Sequence, residues 1–167
     1  MSNPLFSRLL YDKAGWAFAG CMACLMLLSS CDGNRYFEEN RAMPDETWNV
    51  NNTLRFEVPV DNTNALYNFF LNVRHTGQYP YRNLFLFVDS EFPDGSSYRD
   101  TLECALATKE GRWYGDGVGD LRDLRIQFKM NTVLPDTGTY VFSFEQAMRE
   151  EHLPHIKDVG LRIEKAD

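Results

Sequence analysis

The sequence predicts an all-β domain, an antiparallel β-sandwich of about seven or eight strands with jelly-roll-like winding. Three observations predict it. Apolar and polar residues alternate with period two in segment after segment. No stretch sustains a helical period, and turn-forming residues punctuate the chain at short intervals. The 12 Phe, 8 Tyr and 3 Trp add to this, because large rings favour strands and fill a core. An immunoglobulin-like Greek key is the competing topology.

The sandwich is expected behind a removable leader. Arg8 and Lys13 stand against a single acid, Asp12, and residues 14–28 carry no charge. A basic start and a short apolar middle, ending in small residues, make a secretory signal peptide. The middle is shorter than the roughly 20 apolar residues that span a bilayer. It closes on Leu28-Ser29-Ser30-Cys31, a lipobox, and Asp32-Gly33-Asn34 ends the apolar run abruptly. Residues 1–30 are therefore read as signal and Cys31 as the lipid attachment site. Each acyl methylene contributes about 0.8 kcal/mol, so two or three chains hold a domain on the membrane firmly. The expected address is the bacterial cell envelope, at the periplasmic face of the outer membrane, with the inner membrane as the alternative.

Residues 31–47 are read as lipidated cysteine and tether, with Glu38, Glu39, Asn40, Arg41 and Pro44 marking a polar connection. Fully extended it reaches about 50 Å; Tyr36 and Phe37 point to partial docking. A single domain is expected over 48–167. Leu54, Phe56 and Val58 alternate with Arg55 and Glu57, and Tyr67, Phe69, Leu71 and Val73 form the next alternating set. Leu84-Phe85-Leu86-Phe87-Val88 is continuously apolar, as in a strand covered on both faces. Phe92-Pro93-Asp94-Gly95 turns into a strand around Tyr98–Leu102. Ile126, Phe128 and Met130 alternate again. Thr137-Gly138 turns into Tyr140, Phe142 and Phe144, and Val159, Leu161 and Ile163 make the last strand. Helix is expected only as short turns near Cys104–Lys109 and Glu145–Glu150.

Removing residues 1–30 from the 167 leaves 137, enough for one domain, and moves the net charge from −7 to −8. That acidity excludes nucleic acid as a partner, since its binding rests on Lys and Arg neutralising phosphates. Cys21 and Cys24 leave with the signal, and their spacing within an apolar run is read as coincidence. Cys104 then remains as a lone thiol, expected to be buried, and no intramolecular disulfide is available.

No catalytic motif is present, and no cofactor is expected. Gly115-Asp116-Gly117-Val118-Gly119-Asp120 offers Asp116 and Asp120 as weak metal candidates, too few ligands for calcium by themselves. His152 and His155 lack a third ligand nearby, and both are expected on an exposed turn, with His75 structural. Trp113 and Tyr114 either stack on a sugar ring or, in the case of Trp113, plug one end of the sandwich. Glu150-Glu151 is read as solvated surface. Arg149 and Arg162 each lie beside apolar runs, where an arginine closes a buried ion pair or contacts a partner; the sequence leaves both uses open.

The chain resembles the gliding-motility lipoprotein GldH family of Bacteroidetes from Cys31 to Glu164. The resemblance rests on Asn68-Phe69-Phe70-Leu71-Asn72-Val73-Arg74-His75-Thr76, Asn83-Leu84-Phe85-Leu86-Phe87 and Phe92-Pro93-Asp94-Gly95. It continues through Trp113-Tyr114-Gly115-Asp116-Gly117, Gly138-Thr139-Tyr140, Glu145-Gln146-Ala147-Met148-Arg149 and Asp158-Val159-Gly160-Leu161-Arg162-Ile163-Glu164. It implies a non-catalytic, membrane-anchored scaffold working with other gliding lipoproteins and the type IX secretion apparatus. Of functional residues it carries over only Cys31. The alternative function is a carbohydrate-binding envelope lipoprotein built on the same sandwich.

Overall fold

The computed structural model describes residues 33–166. The signal peptide and Cys31 lie outside the described residues. Ten strands follow in order: β1 Arg35–Ala42, β2 Thr47–Asn49, β3 Leu54–Val60, β4 Leu66–Thr76, β5 Asn83–Glu91, β6 Ser97–Ala105, β7 Leu121–Val133, β8 Gly138–Gln146, β9 His152–Pro154 and β10 Ile156–Lys165. The first four-stranded sheet runs β1-β10-β4-β7 and the second β3-β8-β5-β6, with every pairing antiparallel. The short β2 and β9 form a separate ladder. Taken without that ladder, the eight long strands wind 1-8-3-6 in one sheet and 2-7-4-5 in the other, the jelly-roll order.

Period-two alternation is what closes the two sheets on each other. In β3 the burial alternates residue by residue, with Leu54, Phe56, Val58 and Val60 inward and Arg55, Glu57 and Pro59 outward. In β4 the inward set is Tyr67, Phe69, Leu71, Val73 and His75, and β10 adds Val159, Leu161 and Ile163. The second sheet answers with Leu84, Leu86 and Val88 from β5 and Tyr140, Phe142 and Phe144 from β8. The Phe69 ring meets Phe142 of the opposite sheet at 5.3 Å between centroids, and Phe56 meets Phe144 at the same separation. Trp48 is fully buried opposite Leu153 in the small ladder, and its indole N–H donates to the Asn52 carbonyl at 2.8 Å.

Four expectations need correction. The polar segment read as tether contains β1, so the sandwich starts at Arg35 rather than at residue 48. Its Glu38 and Asn40 find partners on other strands, and Tyr36 packs on Tyr67 at 5.0 Å. The run Leu84–Val88 is fully buried on one face only; Phe85 and Phe87 stay half-buried on the other, where the Arg99 guanidinium lies 5.2 Å from the Phe87 ring. Two β-bulges in β7 break its alternation, so Ile126 and Phe128 lean on the core while Met130 turns outward. The expected helical turns are absent among the described residues: Cys104 ends in β6, and Glu145 belongs to β8. The single helical element described is a 3₁₀ turn at Pro44–Glu46.

Candidate functional site

The outer face of the first sheet carries a cleft of about 710 Å³, and sequence-distant residues build it in rows across the strands. One row runs Asn40, Gly160, Asn72, Arg125 through β1, β10, β4 and β7; the next runs Ala42, Asp158, Arg74, Asp123. Asn72 and Arg74 flank the buried Val73, and Asp123 and Arg125 flank the buried Leu124, so these four face away from the core. The polar half of the amphipathic pattern thereby becomes a floor of amides, carboxylates and guanidinium groups.

Ion pairs organise this floor. Arg162 is only 2% exposed; it donates to Glu38 at 2.6 Å and to Glu164 at 2.5 Å. Asn72 Nδ2 donates to Glu38 at 2.9 Å and to Asn40 Oδ1 at 3.3 Å. Burial pushes the Glu38 carboxyl up, but hydrogen bonds from Arg162 and Asn72 and the charges of Arg162 and Arg125 outweigh it, holding it below its ordinary value. Arg74 is hydrogen-bonded to Asp123 and pairs with Asp158 at 3.2 Å. Asp158 is raised by burial, with the Arg74 charge opposing and Asp123 adding. Arg125 makes longer ion pairs, 3.8 Å to Glu38 and 3.5 Å to Glu164, and its side chain is 48% exposed.

One wall of the cleft is the β6–β7 connection. It crosses from the second sheet to the first, and Ala107 bridges Trp113 on the way. Tyr114 N–H donates to the Leu106 carbonyl at 2.8 Å, and Asp116 bridges Asp123 through paired backbone hydrogen bonds of 3.2 and 2.7 Å. Two glycines allow that close approach. A Cβ on Gly115 would lie 2.3 Å from the Asp123 carbonyl oxygen, and one on Gly117 would lie 2.1 Å from that of Leu121. The loop thus covers the start of β7 and presents Tyr114, 47% exposed, at the rim.

A sequence profile described as GldH lipoprotein matches residues 35–163, from the first residue of β1 into the last turns of the β10 ladder. The chain belongs to the GldH lipoprotein family. It is 35% identical over 150 residues to the gliding motility lipoprotein GldH homolog of Christiangramia forsetii, covering 86% of this chain and 91% of that protein. It is 36% identical over 149 residues to the gliding motility lipoprotein GldH of Flavobacterium johnsoniae, covering 85% and 92% respectively. GldH lipoproteins are a gliding-motility family, not a known enzyme family. The match includes β1, so residues 35–47 of the segment read as tether lie within the region that the GldH profile matches.

Within this GldH-family domain the residues singled out from sequence scatter. Tyr114 and Asp116 line the cleft, whereas Asp120 accepts from Gly77 N–H through its backbone carbonyl. Among the described residues no three His, Cys, Asp or Glu side chains are grouped as metal ligands. Trp113 is half-buried, packs edge-on against His75 at 4.8 Å and is not among the residues that line the cleft. His75 is fully buried, its Nδ1 at 2.8 Å from the Thr76 carbonyl, and burial lowers its pKa. His152 is exposed beside Asn49 at 3.1 Å, and His155 sits 3.2 Å from the Thr76 hydroxyl. Cys104 is buried, which pushes its thiol up to about 12. Arg149 is exposed, while Arg162 proves to be the centre of a buried ion-pair cluster. The residues missed by sequence reasoning are the floor: Glu38, Asn40, Asn72, Arg74, Arg125 and Asp158. Their only sequence signal was position, as the polar halves of alternating strands.

Proposed function

We propose that this protein is a non-catalytic, lipid-anchored component of the gliding-motility and type IX secretion-associated envelope machinery, acting as an assembly scaffold. The observation that carries the reading is the family match over the whole sandwich, together with relatives named as gliding motility lipoproteins. Cys31 acylation holds the domain on a membrane of the envelope, and confinement to that surface raises its effective concentration for partners there. The partners are envelope proteins of the same apparatus. A docking surface needs exposed apolar area, and Leu66, Met130 and Val133 supply it where β4 and β7 pair, with Leu66 opposite Val133.

The test is a crosslinked pull-down of tagged full-length protein from its own cells, with Cys31→Ala and Met130→Asp as comparisons. Recovery of gliding or type IX secretion proteins, lost in Cys31→Ala, is the expected result. Recovery of no envelope protein, or identical recovery from the unacylated variant, overturns the anchored-scaffold reading.

A further inference from the structure

The cleft on the first sheet has the chemistry of a binding site, and its ligand can be classed from what its walls offer. The lining carries Arg74 and Arg125 against Glu38, Asp116, Asp123 and Asp158, an excess of acid that disfavours an anionic ligand. Arg74 is already paired with Asp123 and Asp158, and Glu38 with Arg162. A cationic ligand would compete with Arg74 and Arg125 for most of those carboxylates, whereas a neutral hydroxylated ligand can add its own protons to them. A peptide strand also fits poorly, because the floor is a sheet face whose backbone groups are satisfied by neighbouring strands; strand addition requires an edge.

The floor does leave hydrogen-bonding capacity open in a particular pattern. Asn72 uses its Nδ2 on Glu38 and Asn40, so among the described residues its Oδ1 acceptor is free to take a ligand proton. Asn40 uses Oδ1, so among the described residues its Nδ2 donors are free, and Arg125 offers further donors from β7. Donors and acceptors therefore alternate across the floor, matching a hydroxyl, which has one proton to give and lone pairs to receive. Tyr114 provides an exposed ring at the rim. The rest is rigid: Asn40 lies over Gly160, where even a Cβ would come within 2.0 Å of its Oδ1, and the Tyr114 loop is tied to β7 by two backbone hydrogen bonds. A preformed site of this volume falls within the roughly 300–1,000 Å³ typical of small-molecule sites.

We infer that this cleft binds a neutral oligosaccharide, its hydroxyls on Asn40, Asn72 and Arg125 and one sugar face against Tyr114. The site differs from the Trp113–Tyr114 pair suggested by sequence, because Trp113 packs on His75 and does not line the cleft. It stands independently of the scaffold reading above.

Full-length protein in a sugar-free zwitterionic detergent, titrated calorimetrically with cellotetraose, chitotetraose and mannotetraose, tests it. At least one probe should bind, and Tyr114→Ala should weaken that probe by at least about fivefold, the scale of one lost ring contact. Asn72→Leu should weaken it further, and the unfolding midpoint of each variant is measured alongside. Since Tyr114 is an exposed loop residue, its variant keeps the fold and isolates the ring's part in binding. Absence of binding by all three probes at millimolar concentration overturns the inference. So does unchanged affinity in folded Tyr114→Ala and Asn72→Leu, or competition for the cleft by a basic peptide in place of a sugar.

Discussion

Replacing Arg162 by Met removes the guanidinium that holds β1 to β10. Met keeps the apolar length of the stem, so the change isolates the charge and its hydrogen bonds. Arg162 is 2% exposed, while its partners Glu38 and Glu164 are 18% and 21% exposed. Removing one member of a fully buried pair typically costs about 3–5 kcal/mol, because the other charge is left without compensation. Here two carboxylates remain, partly hydrated, and Arg125 still reaches both, so the expected loss is smaller, about 2–3 kcal/mol. For a domain of this size that is on the order of 10 °C in Tm. The pH dependence separates charge from packing. Glu38 is held below its ordinary value, so its contribution is fully present above the ordinary carboxylate range and disappears as pH falls through the lowered folded value. Urea denaturation of wild type and Arg162→Met at pH 7 and at descending pH should show a gap that narrows on acidification. A variant within about 0.5 kcal/mol of wild type at pH 7 would refute the reasoning, as would a gap that does not change with pH.

Two further perturbations follow from the same structure. Gly160→Ala places a Cβ 2.5 Å from the Glu39 carbonyl oxygen as well as against Asn40, so β1 must shift; thermal unfolding should show a loss of about 1–3 kcal/mol, and a neutral substitution would mean β1 yields freely. His75 has its pKa lowered by burial, so below its unfolded value near 6.5 the unfolded chain binds a proton that the folded chain refuses, and stability falls with falling pH until the lowered folded value is reached. His75→Phe should flatten that part of the stability–pH curve, measured by urea midpoints from pH 7 downwards; an unchanged slope would assign the acid sensitivity elsewhere.

Legibility of the fold followed the locality of its signals. Leu54-Phe56-Val58 and Tyr67-Phe69-Leu71-Val73 announce their strands because alternation needs only the segment itself and a core to face. Strand β1 was hidden because its polar residues are satisfied by Arg162, far along the chain, and by Asn72 on β4. The cleft floor was hidden for the same reason: which outward residues become neighbours depends on strand register, and register is set by pairing between distant segments. The glycines from Gly115 to Gly119 drew attention as a possible ion loop, yet Gly115 and Gly117 are needed for backbone contact with β7. Arg162 could not be told from Arg149 by its sequence neighbourhood, since both border apolar runs and only the folded partners differ.

The position of β1 has a mechanical consequence. Only Asp32, Gly33 and Asn34 separate Cys31 from Arg35, a reach of about 10 Å in place of the roughly 50 Å of a free tether. In a chain held through Cys31, force on the anchor would enter the sandwich at the Arg35 end of β1, an edge strand paired with β10. The cleft row at Ala42 and Asp158 lies at the other end of that strand, about 23 Å away along the sheet. A pull between lipid and cleft runs parallel to β1, loading its ladder with β10 in shear so that all the rungs resist together. The Glu38–Arg162 pair acts as a pin across that ladder, so a load along β1 meets shear resistance before any unzipping.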